Sequence, residues 1–176
     1  MAYVLGYIVA DGCVLVDPVR RRNPYTLNIT SRDKDHLIKI SKALDSDHKI
    51  SQKRVNDKVA HQIQIRNFTL VKDLLNLGVP PRKGDNLEDV KVKKEFFSDY
   101  LRGYFDGDGS VYIYRVNGTP QIKASLTSKR LGFISRINEQ VCQAINIPLK
   151  NVHKKSFRRK VWYDLSFYID DCQKLF

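Results

Sequence analysis

The chain has 176 residues, of which 42% are hydrophobic, which is enough for the interior of one domain or of two small ones. Its 31 lysines and arginines outnumber 19 aspartates and glutamates, and the net charge of +12 favours a polyanionic partner, nucleic acid above all. No apolar run nears the roughly 20 residues that span a bilayer, and no secretory signal opens the sequence, so we expect a soluble intracellular protein without a membrane partner.

The cysteines and histidines predict neither a disulfide framework nor a metal centre. The cysteine number is odd, no C-x-x-C pair occurs, and no histidine pair has metal-ligand spacing. We interpret these side chains as ordinary packing or surface residues. They are Cys13, Cys142 and Cys172, and His36, His48, His61 and His153.

Two copies of one unit make up the chain. VLGYIVADG at 4–12 and LRGYFDGDG at 101–109 share the pattern apolar-x-Gly-Tyr-apolar-x-small-Asp-Gly. The helix-breaking stretch Pro-Pro-Arg-Lys-Gly at 80–84 opens a linker. We therefore expect a first repeat at 1–79, a linker at 80–92 and a second repeat at 93–176.

Each repeat is predicted to run helix, strand, strand, helix, strand, strand, helix, because helical spacing alternates with short β-rich runs. In the first repeat, Asp33 is the expected N-cap of the second helix, and Gly78 is expected to close the third. The predicted elements are a helix ending near Ala10, strands at Cys13–Asp17, Tyr25–Thr30, Lys49–Val55 and Val59–Arg66, and helices from Asp33 and at Phe68–Leu77.

In the second repeat, Asn117-Gly118 is the strongest hairpin signal, since both residues accept the positive φ of a type I′ turn. The pattern as a whole predicts an α+β fold of two pseudo-symmetric αββαββα units with antiparallel sheets. The predicted elements are a motif helix at 96–105, strands at Gly109–Val116, Pro120–Thr127, Asn151–Phe157 and Val161–Phe167, and helices at Lys129–Ile145 and up to Phe176.

The second motif places Asp106 and Asp108 at a helix end where the macrodipole already disfavours carboxylates. Small residues four apart in both motif helices would let two backbones approach closely. If those faces pack together, Asp11 and Asp108 converge, and a divalent cation with oxygen ligands, Mg²⁺ or Ca²⁺, relieves their repulsion. With a polyanionic partner, this predicts metal-assisted phosphodiester hydrolysis. The small packing residues are Gly6, Ala10, Gly103 and Gly107.

Plainer interpretations of the acidic segment at 106–109 explain less. An EF-hand loop starting at Asp106 fails, because its sixth position holds Val111 instead of glycine and its twelfth holds Asn117 instead of glutamate. A simple helix-end turn explains one copy but not two copies in register. Asp106 itself has Val9 at its place in the first motif, so we assign it a supporting role at most.

The two motifs resemble those of the LAGLIDADG homing endonucleases in their single-chain form. They match in the apolar start, central glycine, small seventh position and closing Asp-Gly, and the αββαββα pattern covers nearly the whole chain. The resemblance implies motif helices at a central interface, saddle-shaped sheets along a long DNA site, and metal at the last acid of each motif. The implied metal site comprises Asp11 and Asp108 with Ala10 and Gly107. Mg²⁺ is the implied cofactor, and Ca²⁺ would occupy the sites without supporting cleavage.

The resemblance also implies a polar residue on the second strand and a basic residue near the end of the fourth, both near the scissile phosphates. These positions fall at Asn28 and Arg66 in the first repeat and at Ser125 and Phe167 in the second. The second repeat thus lacks the basic group, for which Lys123 is a nearby substitute. Arg66 is equally well interpreted as an ordinary phosphate contact.

Basic and amide side chains concentrate on the predicted strands and turns, whereas acids concentrate in the helices and the linker. A sheet with one basic face would lie along a duplex, with amides pairing with adenine, arginines with guanine, and lysines holding phosphates. Trp162 and the tyrosines are interpreted as packing residues, since strands are generally rich in aromatics. The candidate DNA-binding residues are Arg20, Arg21, Arg22, Asn23, Lys49, Gln52, Lys53, Arg54, Lys58, Gln62, Gln64, Arg66, Arg115, Asn117, Gln121, Lys123, Lys150, Asn151, Lys154, Lys155, Arg158, Arg159 and Lys160.

The sequence therefore predicts a monomeric, site-specific double-strand DNA endonuclease with a long target, in which each motif carboxylate serves one strand. The resemblance implies a role in intron or intervening-sequence mobility. Two rivals stay open: an intron-splicing maturase that binds intron RNA on the same fold, and a regulator that binds DNA without cutting it. Both acids are intact, which argues against a decayed site.

Overall fold

The structure is a computed structural model that describes residues 1–19, 24–55, 58–82 and 86–175. By its internal contacts the chain divides into two compact units. The boundary between the units differs from the boundary predicted between the repeats, because the second motif helix belongs to unit 1 up to Gly107. The division of the sequence into two repeats and a linker stays a prediction. Unit 1 comprises Met1–Asn86 and Val90–Gly107, and unit 2 comprises Leu87–Asp89 and Asp108–Phe176. None of the helices in the described ranges has the length and apolar character needed to cross a bilayer.

Unit 1 contains one antiparallel four-stranded sheet with the strand order β1-β2-β4-β3. Both predicted helix signals are confirmed: Asp33 accepts the N–H of His36 at 2.9 Å, and Gly78 follows the third helix with a φ of 94°. Its elements are α1 (Ala2–Asp11), β1 (Gly12–Val16), β2 (Tyr25–Ser31), α2 (Lys34–Ala43), β3 (Ile50–Val55), β4 (Lys58–Ile65), α3 (Phe68–Asn76) and, after a 3₁₀ turn at Lys94–Phe96, α4 (Phe97–Asp108).

Alternation along the strands separates the two faces of this sheet. Leu27, Ile29 and Ile63 are fully buried on the face that α1, α2 and α3 contact. Because successive strand residues point to opposite faces, Asn28 and Gln64, which are cross-strand neighbours, lie on the open face. Apolar side chains therefore fill the core, while polar ones are presented on the other side.

Unit 2 has the same strand order, β5-β6-β8-β7, again antiparallel throughout. Leu165 and Ile134 are fully buried at the centre of its core. The predicted Asn117-Gly118 turn is confirmed by φ values of 48° and 82°, both in the left-handed region that a type I′ turn requires. The elements are β5 (Gly109–Val116), β6 (Thr119–Ser128), α5 (Leu131–Ala144), β7 (Val152–Phe157), β8 (Lys160–Tyr168) and α6 (Ile169–Leu175).

Two αββαββα series and two four-stranded antiparallel sheets confirm the predicted α+β fold. The helix α4 continues beyond the predicted run at 96–105 to Asp108, which confirms that both acids of the second motif lie at a helix end. Glycine and aspartate are poor helix formers, but tertiary packing overrides that propensity here. The predicted turns at 20–24 and 56–57 fall mainly outside the described residues.

Candidate nucleic-acid interface and acidic helix ends

Within unit 1 the two motif helices lie against each other through glycine. A Cβ placed on Gly6 would collide with the carbonyl oxygen of Tyr100. A Cβ placed on Gly103 would collide with the carbonyl oxygen of Tyr3 and lie 3.0 Å from the amide nitrogen of Tyr7. Each glycine costs up to about 1 kcal/mol of helix stability relative to alanine. Because it has no Cβ, it also lets the two backbones come into direct contact.

The same helix contact reaches the acidic ends. A Cβ on Gly107 would collide with the Cβ of Ala10 and lie 3.6 Å from the carboxyl carbon of Asp11. The Asp11 carboxyl group is therefore beside Gly107, and Asp108 is the next residue along the chain. Neither α1 nor α4 has a basic residue in its last turn, so no side chain of their own offsets the negative helix end.

Tyr7 supports the Asp11 carboxylate from one helical turn earlier. It is 3% exposed. Burial raises the pKa of Tyr7 to about 12; a hydrogen bond with Ser31 opposes the shift, and the hydrogen-bonded, negatively charged Asp11 adds to it. The phenol therefore stays protonated at neutral pH and can donate to Asp11, which restricts the orientation of that carboxylate.

Asp106 has a separate structural partner in unit 1. Its Oδ2 accepts a hydrogen bond from the Tyr3 hydroxyl at 2.6 Å, and the same hydroxyl lies 3.4 Å from Nε2 of His36. Burial and the bond to Asp106 raise the pKa of Tyr3, so its hydroxyl remains a donor. The Arg102 guanidinium lies 5.2 Å from the Tyr3 ring centroid. Asp106 thus links α4 to α1, which explains an acid that the first motif lacks.

The acidic ends offer oxygen donors suited to a hard divalent cation. Asp108 closes α4, and its main-chain carbonyl accepts a hydrogen bond from the Thr127 hydroxyl at 3.4 Å. Carboxylate and main-chain oxygens are the ligands that Mg²⁺ and Ca²⁺ prefer. Within the described ranges, no three His, Cys, Asp or Glu side chains form a group that could hold an ion. A cation at Asp11 or Asp108 would therefore need substrate phosphate or water as further ligands, as is usual for Mg²⁺.

A basic pocket of about 250 Å³ lies at the end of the unit 1 sheet and includes the predicted Arg66. The Arg66 main-chain N–H donates to Nε2 of His48 at 3.3 Å. Sequence reasoning treated His48 as an ordinary residue, because only the folded loop before β3 brings it beside Arg66. The cations and amide here suit an anionic group such as a phosphate. The lining residues are His48, Lys49, Ser51, Gln64 and Arg66.

The polar residue expected on the second strand differs in its surroundings between the two units. The Oδ1 atom of Asn28 is buried and has no hydrogen-bond partner among the described residues. An unmade hydrogen bond of this kind costs about 1–3 kcal/mol. In unit 2, Ser125 is 3% exposed with its Oγ 3.2 Å from Oγ of Ser166, and Phe167 is buried in the core. The Asn28 and Arg66 arrangement therefore has no counterpart in unit 2.

Three of the predicted DNA-binding cations have partners inside unit 2. Lys123 Nζ lies 3.7 Å from Oδ2 of Asp164, and Lys150 Nζ lies 2.7 Å from Oδ1 of Asp171. The Arg115 guanidinium donates to a carbonyl of its own hairpin turn at 2.8 Å. These interactions position the cations, and phosphate binding by any of them would compete with the partner it already has.

The remaining predicted contacts are spread over both sides of the sheets and over the turns. Strand register places one group on the open faces, namely Lys53, Lys58, Gln62, Gln64, Gln121, Lys123, Lys155 and Lys160. A second group points to the other side: Gln52, Arg54, Arg115 and Lys154. A third group lies in turns and loops outside the strands: Lys49, Arg66, Asn117, Lys150, Asn151, Arg158 and Arg159. Arg20, Arg21, Arg22 and Asn23 lie outside the described residues.

The turn between β7 and β8 is made by two arginines in the left-handed region. The φ values of Arg158 and Arg159 are 45° and 67°. This conformation costs roughly 1–2 kcal/mol per residue for side chains other than glycine. Both residues are the central pair of the two-residue turn that the pairing of Phe157 with Lys160 closes, and such turns require positive φ.

The interpretation of the aromatics as packing residues is wrong for part of unit 2. Tyr112, Tyr114 and Tyr168 are 55%, 38% and 50% exposed, and all three lie on the open face with Lys123. The Lys123 ammonium lies 6.0 Å from the Tyr168 ring centroid. A signal was available in the sequence, because tyrosines at i and i+2 beside an Asn-Gly turn occupy one face of a hairpin.

Two αββαββα repeats with acidic motif helices and four-stranded antiparallel sheets are the fold of the homing endonucleases. Residues 1–96 match the family profile described as the WhiA LAGLIDADG-like domain, and residues 95–174 match the LAGLIDADG-like domain. The chain belongs to the LAGLIDADG family. No curated protein matches the sequence.

Solved structures of homing endonucleases share the fold at low identity. Mesophilic variants of I-DmoI are 14% identical with a TM-score of 0.66, covering 99% of this chain and 91% of that chain. I-SmaMI bound to uncleaved DNA with calcium ions is 14% identical with a TM-score of 0.61, covering 98% and 80%. I-DmoI in complex with DNA and Mn is 12% identical with a TM-score of 0.57, covering 93% and 86%.

Proposed function

We propose that the protein is a site-specific double-strand DNA endonuclease that hydrolyses phosphodiester bonds with a divalent metal ion at Asp11 and Asp108 and serves intron mobility. The observation that carries the proposal is the helix contact in unit 1. It leaves the Asp11 carboxyl carbon 3.6 Å from the Cβ position of Gly107, the residue before Asp108. Solved relatives with this fold were studied with DNA, and two of them with calcium or manganese.

In this proposal the chain positions oxygen donors and the substrate. Asp11 and Asp108, with the main chain of Ala10 and Gly107, would hold Mg²⁺, and Tyr7 would orient the Asp11 carboxylate. When bound, Mg²⁺ supplies activation of water and stabilisation of the charge that develops on phosphate oxygens. Arg66 and Lys49 would hold a phosphate in the basic pocket, and Asn28 would be the polar residue close to the scissile phosphate. In unit 2, Lys123 would be the substitute basic group that contacts a phosphate.

A DNA-binding protein that does not cleave is the second candidate. It is favoured by unit 2, where the position that would carry a basic residue holds Phe167, which is 2% exposed and part of the core. The basic open face and turns would still bind a duplex without the catalytic step. Intron RNA is the third substrate to compare, since the same cations would contact its phosphates.

The test begins with the full chain, Mg²⁺ and duplex DNA that carries a randomised region, followed by sequencing of cut ends. We expect a discrete set of cut sites. Duplex that is bound with sequence preference but never cut would support the second candidate, and tighter binding to structured RNA than to any duplex would support the maturase.

Substitution of the motif acids then tests the mechanism. Asp11→Asn or Asp108→Asn should lower the cleavage rate by roughly a thousandfold, because metal stabilisation of the transition state is worth several kcal/mol, while duplex affinity stays unchanged. Asp106→Asn is the matched control, since this acid lies in the same helix turn but bonds Tyr3, and it should stay within about tenfold of the wild type. A double Asp11→Asn, Asp108→Asn variant that still cuts at the wild-type rate would refute the mechanism.

A further inference from the structure

The β5–β6 hairpin of unit 2 ends in an apolar ribbon, defined as residues 111–121, that is exposed on both faces. All six residues from Val111 to Val116 are exposed, and Ile113 reaches 79%. Only one residue in the ribbon, Arg115, is charged. Five exposed apolar or aromatic side chains on an edge strand are unfavourable in water and promote aggregation unless something covers them.

Strand β1, the counterpart of β5 in unit 1, lacks this feature. β1 has five residues against eight in β5, and none of the five is exposed. The open face of unit 1 instead carries amide side chains, of which Gln64 is exposed and Gln62 donates to the Thr30 hydroxyl at 3.4 Å. The apolar ribbon is therefore an addition to unit 2 and does not follow from the fold that the two units share.

The charge around the apolar ribbon favours DNA as the molecule that covers it. Lys123, Lys155 and Lys160 lie on the open face with Tyr112 and Tyr114, whereas Val111 and Ile113 lie on the other face. The chain as a whole carries +12. A second copy of this chain would bring like charges together, whereas a duplex presents phosphates on both sides of its groove. The major groove is also wide enough to admit a two-stranded β-ribbon.

Most side chains of the apolar ribbon cannot make paired hydrogen bonds to a base edge. The exceptions are Arg115, Asn117 and Gln121. The one apolar group that a base pair presents in the major groove is the 5-methyl group of thymine. We infer that the apolar ribbon reads thymine methyl groups, so that the half-site contacted by unit 2 is rich in thymine and the target is not a palindrome. This inference rests on the proposed binding of duplex DNA.

Deoxyuridine tests it without altering the protein, because it keeps every hydrogen-bonding group of thymine and lacks only the methyl. A duplex is first selected from a randomised pool by the full chain in Ca²⁺, and thymines are then replaced by deoxyuridine in one half-site at a time. We expect about fourfold weaker binding per methyl contacted, the factor for one buried methyl group, in one half-site. The other half-site should change by less than twofold.

A variant of the apolar ribbon assigns the effect to unit 2. Tyr112→Ser with Tyr114→Ser should bind the thymine and deoxyuridine duplexes equally well. Val59→Ser is the matched control, because Val59 is a 51% exposed apolar residue on the unit 1 sheet, and it should keep the full preference for thymine.

The possible failures are distinguishable from one another. If no duplex is enriched, the proposed function fails together with the inference. If a duplex is enriched but deoxyuridine is tolerated in both half-sites, or lowers affinity equally in the tyrosine variant, only the inference is overturned. It is also overturned if single-stranded thymine oligonucleotides bind more tightly than the duplex. Sedimentation that shows a dimer lost in the tyrosine variant would likewise overturn it, by assigning the ribbon to a second copy.

Discussion

The open faces of the two sheets differ in chemistry although the strand order beneath them is the same. Unit 1 presents Asn28, Gln62 and Gln64, whereas unit 2 presents Tyr112 and Tyr114 together with Lys123, Lys155 and Lys160 on its other strands. The buried faces, by contrast, are apolar in both units. A duplicated fold therefore keeps its core and its helix contacts, while the surface that meets a partner is free to change.

The largest loss of stability is expected at the contact of the motif helices, where the two backbones leave no room for a larger side chain. Gly103→Val would force its side chain into the main chain of Tyr3, so we expect the free energy of unfolding to fall by about 3 kcal/mol or more. Urea unfolding monitored by circular dichroism measures it. In Gly132→Ala, on α5, the added Cβ meets nothing within 4 Å, and this control should be neutral or up to about 1 kcal/mol more stable. A Gly103→Val protein as stable as wild type would contradict the packing described.

A smaller effect should distinguish two buried polar residues at corresponding positions of the two units, Asn138 on α5 and Ser41 on α2. Asn138 of unit 2 donates to the carbonyl of Lys150 at 2.7 Å and accepts the Lys150 N–H at 3.2 Å, whereas its counterpart Ser41 makes one bond, to the carbonyl of Ser46 at 2.8 Å. Because buried partners left unsatisfied cost about 1–3 kcal/mol, the free energy of unfolding should fall by about 2 kcal/mol in Asn138→Ala and by about 1 kcal/mol in Ser41→Ala. Thermal and urea unfolding of the pair provide the comparison. Equal losses would show that the two residues are equivalent after all.

The smallest effect is expected on the open faces themselves. Gln64→Ala in unit 1 and Tyr114→Thr in unit 2 remove exposed side chains, so each should change the free energy of unfolding by about 0.5 kcal/mol or less. Duplex affinity, measured in parallel by fluorescence anisotropy, should fall for both. A loss of stability near that of Asn138→Ala would show that the open-face side chains stabilise their unit and are not free to change.

Local sequence signals determined much of the fold. Asp33 as a cap, Gly78 as a helix end and Asn117-Gly118 as a type I′ turn depend on side chains acting on their own backbone. Alternation of apolar and polar residues separated the buried face of each sheet from the open one. The repeated motif then indicated the family and both acids. These features are predictable because each is decided within a few residues.

Tertiary structure decided what distant segments do together. It extended α4 through Asp108, since contact with α1 outweighs weak helix propensity. It brought His48 beside Arg66, joined Tyr3 to Asp106 across 103 residues of chain, and paired Lys123 with Asp164. Whether an aromatic side chain is buried depends on what packs over its strand, which no local pattern contains. The spacing of Tyr112 and Tyr114 indicates that they share one face of a hairpin, but only the fold shows that this face is exposed.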